Sequence, residues 1–176
     1  DRFWLNDGKG VFRAASATAL RNTPTFSMSV DFADIDRDGN VDFLAADMLD
    51  TMYAAQGRGL AAPQIGSLTR LFVMDATWKA GTPAPQVFVN PEILWRSAET
   101  AVGPEGCLSL PEITLDISRA TSVKLRWQDV QMAFHEQTFT GFAAICIQHE
   151  YDHLNGVLTL DHLDPAARTT AEKALL

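Results

Sequence analysis

The sequence predicts an α+β fold in which mostly antiparallel strands surround one central helix, with a β-hairpin segment ahead of them. Four strand-like runs, rich in β-branched and aromatic residues, follow one another between turn signals: RLFVMD, QVFVN, TSVKLRW and AFHEQTF. The apolar stretch FAAICIQHEYDHL comes next and is long enough for several helical turns. Together these patterns favour antiparallel strands packed around one buried helix.

The first 46 residues have a pattern of their own. Short β-type runs are broken there by NDGKG and DRDGN, which are strong turn signals. The runs are residues 2–5, 10–13, 27–32 and 41–45. We therefore predict two parts, a β-hairpin segment over residues 1–46 and a larger domain over residues 47–176.

From Asp47 onward the pattern changes. Apolar residues in DMLDTMYAAQ lie at helical spacing and predict a helix, after which the glycine-rich GRGLAAPQIG follows. Glycines and a proline predict a turn at residues 103–106. We expect the central helix to begin at Gly141 and to end before Gly156, and a weaker helix to cover residues 166–176.

The composition limits the class of protein. The chain has 176 residues, 47% of them hydrophobic and 20% charged, which is enough for one good core. Its 14 Lys and Arg against 22 Asp and Glu give a net charge of -8, which argues against a nucleic-acid partner. No apolar run approaches the roughly 20 residues of a membrane helix, and no signal-like segment opens the chain. We expect a cytoplasmic protein with no membrane partner.

Two histidines, His149 and His153, stand four residues apart in ICIQHEYDHLNG. At about 100° per residue they lie on one helical face, so two imidazoles can reach one ion. Glu150 lies beside both, where its carboxylate can take a proton from a water molecule. The alternative is an amphipathic helix with incidental histidines, because this spacing also arises by chance.

The third ligand would decide the chemistry. One metalloprotease pattern needs a histidine six residues after the second, but this chain has Thr159 there. A zinc-peptidase pattern needs a later glutamate, for which Glu172 is the candidate. Cys107, in EGCLS, is a better ligand, because one Cys with two His leaves a fourth position open for water. Cys146 falls on the same helical face as the two histidines, so its position would also allow it to be the third ligand. Its apolar neighbours favour a place in the pocket wall instead.

Three segments make the chain resemble the peptide deformylases: GRGLAAPQIG, EGCLS and QHEYDHLNG, in the order that the family has them. The resemblance runs from about residue 47 to the end. It implies a mononuclear Fe²⁺ enzyme, tolerant of Ni²⁺, Co²⁺ or Zn²⁺, which removes the formyl group from the N-terminal methionine of new polypeptides and releases formate. It also implies formyl-methionyl nascent peptides as partners, near the ribosome, and a monomer.

The resemblance assigns roles to the residues that would carry out the reaction. It implies that three side chains bind the metal: Cys107, His149 and His153. Glu150 would be the general acid/base. Gln64 and the backbone N–H of Leu108 would bind the oxygen that becomes anionic, where one such donor is typically worth about 100- to 1,000-fold in rate.

Other residues would hold the substrate or support the ligands. Gly59 would bind the peptide through its backbone, because glycine allows two backbones to approach closely. Ile145 and Cys146 would line the pocket for the methionine side chain together with Leu108, although core packing would explain the same residues. Glu105 would pair with Arg119 behind the ligands.

The chain departs from the family pattern in two places. The residue between the first two glycines of the first segment is usually aliphatic. Here it is Arg58, which affects the pocket edge. The family also has an N-terminal strand and a full first helix, of which only the last turns match. Here DFADIDRDGNVDF contains the pattern D-x-D-x-D-G-x-x-D, whose four carboxylates suit Ca²⁺, and it resembles one FG-GAP (VCBS-type) β-propeller repeat. The four are Asp34, Asp36, Asp38 and Asp42. A calcium-binding module or an inactive fusion is therefore an alternative function.

Overall fold

The computed structural model describes residues 4–6, 12–14 and 42–175. At the start of the chain, strand β1 (Trp4–Asn6) pairs antiparallel with strand β2 (Phe12–Ala14). The predicted run at residues 27–32 lies outside the described residues. The hairpin segment as a whole therefore stays a prediction.

Helix α1 spans Asp42–Ala54 and corrects the strand predicted at residues 41–45. Leu44, Ala45, Met48 and Met52 are all buried. Their spacing places them on one helical face, which a short window containing Val, Phe and Leu does not reveal. The helix also begins before residue 47, so it extends further toward the N-terminus than the sequence predicted.

Five strands form one antiparallel sheet in the order β3-β4-β5-β8-β9. The strands are β3 (Gly59–Ala61), β4 (Leu71–Met74), β5 (Gln86–Arg96), β8 (Ser122–Gln128) and β9 (Phe134–Thr140). Four of them contain the predicted strand-like runs, and the prediction of antiparallel pairing is confirmed. The short strand β3 was not predicted. It lies at one edge of the sheet and pairs with β4.

The sheet is covered by a helix on each face. Strand β4 shows this directly, because its side chains alternate between two hydrophobic clusters. Leu71 and Val73 pack with α1, whereas Phe72 and Met74 pack with helix α2 (Gly141–Leu154). Helix α2 therefore lies against the second face of the sheet, and the prediction of one buried central helix is confirmed.

A two-stranded hairpin lies beside the main sheet. Strand β6 (Thr100–Cys107) pairs with β7 (Leu110–Ala120), and the pairing shifts register beside Cys107. The turn predicted at residues 103–106 is wrong, because these residues belong to β6 and the chain reverses after Cys107. A high glycine content suggested a turn, but the pairing with β7 places these glycines in a strand.

The C-terminal part packs against this hairpin. Gly141, with φ +58°, begins α2, and the helix ends before Gly156, with φ +73°, as predicted. Helix α3 (Pro165–Ala174) begins after Asp164, whose carboxylate accepts two backbone N–H bonds of 2.9 Å from the first turn. Across the described residues, every helix is too short or too polar to cross a membrane.

Candidate active site

Helix α2 and the end of β6 bring together the three predicted metal ligands. His149 and His153 are buried on one face of α2, and their Nε2 atoms lie 3.1 Å apart. The Sγ atom of Cys107 is 3.3 Å from Nε2 of His153. One donor atom from each of the three residues lies within 4.8 Å of the other two. The sequence spacing placed the histidines on one face, and the hairpin brings the cysteine to them.

A chain of charged side chains orients the first histidine. Nδ1 of His149 lies 2.9 Å from Oε2 of Glu105, so Nε2 faces the cluster. Glu105 also accepts two bonds from Arg119, at 2.8 and 3.0 Å. The predicted pair of Glu105 and Arg119 is therefore formed, and it contacts a candidate ligand directly. Arg119 reaches on to Asp152 at 2.5 Å, and Nε2 of His162 lies 2.7 Å from the same carboxylate oxygen.

These contacts shift the pKa values of the cluster. Burial would raise the pKa of Glu105, but hydrogen bonds with His149 and Arg119 lower it to about 2. Burial would also raise the pKa of Cys107, but hydrogen bonds with His149 and His153 lower it to about 5. The Cys107 thiol therefore favours the thiolate, which is the form that binds a metal.

Glu150 is buried beside this group, and burial raises its pKa to about 7. Its Oε2 atom is buried and has no hydrogen-bond partner among the described residues. The carboxylate lies against the backbone of Gly59, since a Cβ added to Gly59 would lie 2.8 Å from Cδ of Glu150. Only glycine fits at position 59 without moving this carboxylate. A carboxyl group with a pKa near neutrality can both accept and return a proton.

Gln64 lies on the other side of Cys107, in a 3-10 helix (Ala62–Ile65) after β3. Its Oε1 accepts a 2.8 Å bond from the N–H of Ala61, which fixes the orientation of the amide. Its Nε2 therefore faces the hairpin turn, where it lies 3.0 Å from Oγ of Ser109 and 3.7 Å from Sγ of Cys107. Leu108 lies in this turn, so both predicted oxygen-binding residues are beside the cluster.

The group opens into a cavity of about 860 Å³. The cavity is bounded by β3, the β6–β7 hairpin and the first turns of α2. Its lining includes every predicted substrate-binding and oxygen-binding residue: Gly59, Gln64, Leu108, Ile145 and Cys146. Cys146 directs its thiol to the carbonyl of Arg58 at 3.6 Å, and burial raises the pKa of that thiol well above its usual value. It therefore belongs to the wall, as the sequence suggested.

The remaining predicted residues lie elsewhere. Glu172 is bound to Arg168 at 2.8 Å on the surface of α3, outside the group of three donors. Asp34, Asp36 and Asp38 lie outside the described residues, and Asp42 begins α1. The calcium site therefore stays a prediction.

The donor set fits one divalent ion. A thiolate and two imidazoles suit zinc and neighbouring transition metals, and three protein ligands leave a position open. The orphaned Oε2 of Glu150 is a second indication, because a buried carboxylate oxygen without a partner is rare unless another group binds there.

Sequence reasoning missed several residues that support the site. Gln148 donates to the carbonyl of Ala120 at 2.9 Å and accepts from its N–H at 3.2 Å, which joins α2 to the end of β7. Asp152 and His162 extend the network behind His149. Asp152 follows His149 by three residues on the same helix, and that spacing was a usable signal. Nothing in the sequence indicated that His162 would contact it.

Comparisons with known proteins agree on one family. The family model described as polypeptide deformylase matches residues 22–169. Peptide deformylase of Afipia carboxidovorans is 49% identical over 130 residues, covering 74% of this chain and 76% of that protein. The enzyme of Phenylobacterium zucineum is 51% identical over 130 residues, covering 74% and 77%.

Solved structures give the same result. The crystal structure of peptide deformylase from Thermotoga maritima is 44% identical, with a TM-score of 0.67, over 73% of this chain and 84% of that one. A peptide deformylase from Legionella pneumophila is 42% identical, with a TM-score of 0.71, over 76% and 78%. The sequence, the fold and the Cys-His-His group thus lead to one conclusion: the chain belongs to the peptide deformylase family.

Proposed function

We propose that the protein is a metal-dependent hydrolase that removes the formyl group from the N-terminal formyl-methionine of newly synthesised polypeptides and releases formate. One observation carries the proposal. Cys107, His149 and His153 meet beside the buried Glu150, and Cys107, His149 and Glu150 line a cavity, in a member of the deformylase family.

Cys107, His149 and His153 hold the metal. Fe²⁺ is the proposed ion, and Zn²⁺, Ni²⁺ or Co²⁺ can take its place, because such a donor set discriminates weakly between these ions. When bound, the ion acts as a Lewis acid that polarises a carbonyl oxygen and lowers the pKa of a water molecule. Glu105, held by Arg119, fixes the His149 ring with Nε2 on the side of His153, where it would bind the ion.

Gln64 and the N–H of Leu108 bind the formyl oxygen as it becomes anionic. The amide of Gln64 is already oriented by its bond from Ala61, so it loses little freedom when it donates. Donors fixed in advance near developing charge stabilise the transition state without reorganisation.

Glu150 moves the proton. Its carboxylate accepts a proton from the attacking water as the oxygen adds to the formyl carbon. It then donates that proton to the departing amine nitrogen as the carbon–nitrogen bond breaks, which yields formate and a free N-terminus. The burial that raises its pKa to about 7 supports both steps near neutral pH.

The peptide binds in extended form beside β3. Within the described residues β3 pairs on one side with β4, so its other edge is available for an added strand. Gly59 holds the substrate backbone there, and the methionine side chain enters the pocket lined by Leu108, Ile145 and Cys146.

The test is formate release from formyl-Met-Ala-Ser by freshly Fe²⁺-loaded protein. We expect Cys107→Ala to lose bound metal and activity together, and Glu150→Ala to keep metal but lose activity. Unchanged activity in both folded variants would contradict the proposal.

The peptidase alternative is not favoured. Glu172 pairs with Arg168 on the surface and not with the histidines. A peptidase that used Glu172 would cleave internal peptide bonds and would be indifferent to loss of Cys107. Digestion of an unformylated peptide by the parent and by Cys107→Ala separates the two activities.

For the N-terminal part we propose a segment over residues 1–46 that resembles an FG-GAP (VCBS-type) repeat and a catalytic domain over residues 47–176. Helix α1 runs across this boundary, and the family match begins at residue 22. Calorimetric titration of Ca²⁺ into the parent and Asp36→Ala tests the proposed ligands, since equal heats would mean that no site exists. Action as a cytoplasmic monomer near the ribosome completes the proposal, and sedimentation together with ribosome co-pelleting tests it.

A further inference from the structure

Arg58 lies in the wall of the cavity, at the position where the family resemblance leads one to expect an aliphatic residue. Two contacts fix its backbone carbonyl. The carbonyl of Arg58 accepts a 2.9 Å bond from the N–H of Asp75 and a 3.6 Å contact from the thiol of Cys146. Its guanidinium carbon lies 4.6 Å from the centre of the Phe142 ring, at the start of α2. The cation is therefore held in one place by a stacking contact.

This cation has no carboxylate partner among the described residues. Arg119, Arg126 and Arg168 all form ion pairs within that part of the chain. Arg58 forms none there, and the buried Nε atom of this half-buried residue has no hydrogen-bond acceptor among the same residues. A buried donor of a charged group without an acceptor lowers stability, so holding the cation in this wall has a cost.

A second cation lies on the same wall. Lys79 also lines the cavity and forms no ion pair within the described chain. Its loop is joined to the segment before Arg58, because Nε1 of Trp78 donates to the carbonyl of Gly57 at 2.8 Å. Three acidic residues also line the cavity: Glu105, Glu112 and Glu150. Glu105 is paired with Arg119, and Glu150 is buried beside Gly59, so Glu112 is the one on the open surface. It lines the cavity from β7, but it is exposed, so solvent screens it more than it screens the half-buried Arg58.

The orientation of the bound peptide determines which of its side chains contacts Arg58. Successive side chains of an extended strand point to opposite sides, so the first and third residues of a peptide share one side. If the methionine side chain enters the pocket of Ile145 and Cys146, the third side chain lies on the same side, nearer the cavity mouth. Arg58 borders that pocket through Phe142 and Cys146.

We propose that Arg58, supported by Lys79, is a specificity-determining residue that favours formyl-methionyl peptides with aspartate or glutamate as their third residue. This inference rests on the proposed function. A carboxylate there would pair with the terminal nitrogens of the guanidinium, which have no carboxylate partner among the described residues, and such charge-assisted bonds are stronger than neutral ones. An aliphatic residue at position 58 provides no such preference.

The test compares kcat/KM for formyl-Met-Ala-Glu, formyl-Met-Ala-Gln and formyl-Met-Glu-Ala with the metal-loaded full chain. We expect the parent to favour Glu over Gln at the third residue by about 5- to 10-fold, as expected for a partly desolvated ion pair. The preference should appear mainly as a lower KM for the Glu peptide, because the carboxylate is remote from the formyl carbon. It should shrink as salt is added.

Three variants make the comparison specific. Arg58→Met keeps the chain length and removes the charge, so the Glu-to-Gln ratio should fall to near one. Arg58→Lys keeps the charge but loses the planar set of donors, so part of the ratio should remain. Arg96→Met removes an exposed arginine that does not line the cavity, and it should retain the full ratio.

Two results would overturn the inference while leaving the proposed function intact. One is a Glu-to-Gln ratio near one in the parent, or a ratio that Arg58→Met leaves unchanged. The other is a preference for the acidic residue at the second position instead of the third. If no formyl peptide is hydrolysed at all, the proposed function itself fails and the inference fails with it.

Discussion

Helices α1 and α2 pack on opposite faces of one sheet, but they bury different kinds of side chain. Of the α1 side chains that the structure describes, the buried ones are all apolar: Leu44, Ala45, Met48 and Met52. Helix α2 buries four polar or charged side chains beside its apolar ones: Gln148, His149, Glu150 and His153. Burying a polar group without a partner costs about 1 to 3 kcal/mol, so α2 needs compensating contacts that α1 does not.

The α2 side chains obtain those contacts from the hairpin. Gln148 is paired with the backbone of Ala120, and His149 with Glu105. One α2 atom, Oε2 of Glu150, is left without a partner in the part of the chain that the structure describes. Helix α1 therefore contributes apolar burial, whereas α2 contributes an apolar cluster and also the polar side chains that we propose carry the chemistry, with a cost in stability at Glu150.

Replacing Glu150 is the largest change that would test this comparison. We expect Glu150→Gln to lower kcat by about 100- to 10,000-fold, because a general acid/base typically contributes that much. The free energy of unfolding at pH 8 should not fall, since the variant removes a carboxylate that is buried without a partner. Formate release and urea unfolding measure the two effects on one sample. A kcat within about tenfold of the parent would contradict the assignment, because it lies well short of the usual contribution of a general acid/base.

Shortening a side chain on α1 should give the opposite result. We expect Met48→Ala to lower the free energy of unfolding by about 2 to 5 kcal/mol, because the residue is fully buried and the change leaves a cavity. The kcat of the folded fraction should stay close to that of the parent, because Met48 does not line the active-site cavity. A large loss of kcat without a loss of stability would show that the two faces are not separate.

The ion pair of Glu105 and Arg119, behind the proposed ligands, allows the α2 face to be tested through the pH dependence of stability. The pKa of Glu105 is lowered from 4.5 to about 2, so its contribution is fully present above pH 4.5 and is lost as the pH falls toward 2. The shift corresponds to on the order of 3 kcal/mol in chelator-treated protein. Unfolding by urea at several acid pH values should show a shallower decline for Glu105→Gln than for the parent. Equal slopes would mean that the pair does not stabilise the fold.

The two faces also differ in how well the sequence predicted them. The spacing of His149 and His153 placed both on one face of a helix, because a helical period needs only local information. Cys107 was a candidate ligand, but its approach to the histidines depends on the β6–β7 hairpin. That hairpin was hidden by the glycines that suggested a turn at residues 103–106. The contact of His162 with Asp152 depends on how the chain folds back after α2, and no local pattern encodes it.

On the α1 face the errors have a similar cause. Residues 41–45 looked like a strand, because a window of five residues cannot separate a period of two from a period of 3.6. The correct helix is visible only when Leu44 is considered together with Met48 and Met52, which pack on the same face. The sequence therefore predicted the chemistry of this protein better than the boundaries of the elements that hold it.

The smallest effect we predict concerns the one polar side chain that anchors α1 to the sheet in the described part of the chain. The hydroxyl of Tyr53 donates a 2.7 Å bond to Asp75, a buried carboxylate at the end of β4. Burial and this bond raise the pKa of Tyr53 from 10.0 to about 12. The contribution is therefore present below pH 10 and is lost as the pH rises toward 12.

We expect Tyr53→Phe to cost about 0.5 to 1.5 kcal/mol at neutral pH, as one hydrogen bond does, and to leave kcat unchanged. Urea unfolding between neutral and alkaline pH measures this, with the parent approaching the variant as the pH rises. A loss of kcat in Tyr53→Phe would show instead that the α1 face takes part in the chemistry, because Asp75 binds the backbone of the 75–84 loop that carries Lys79 to the cavity.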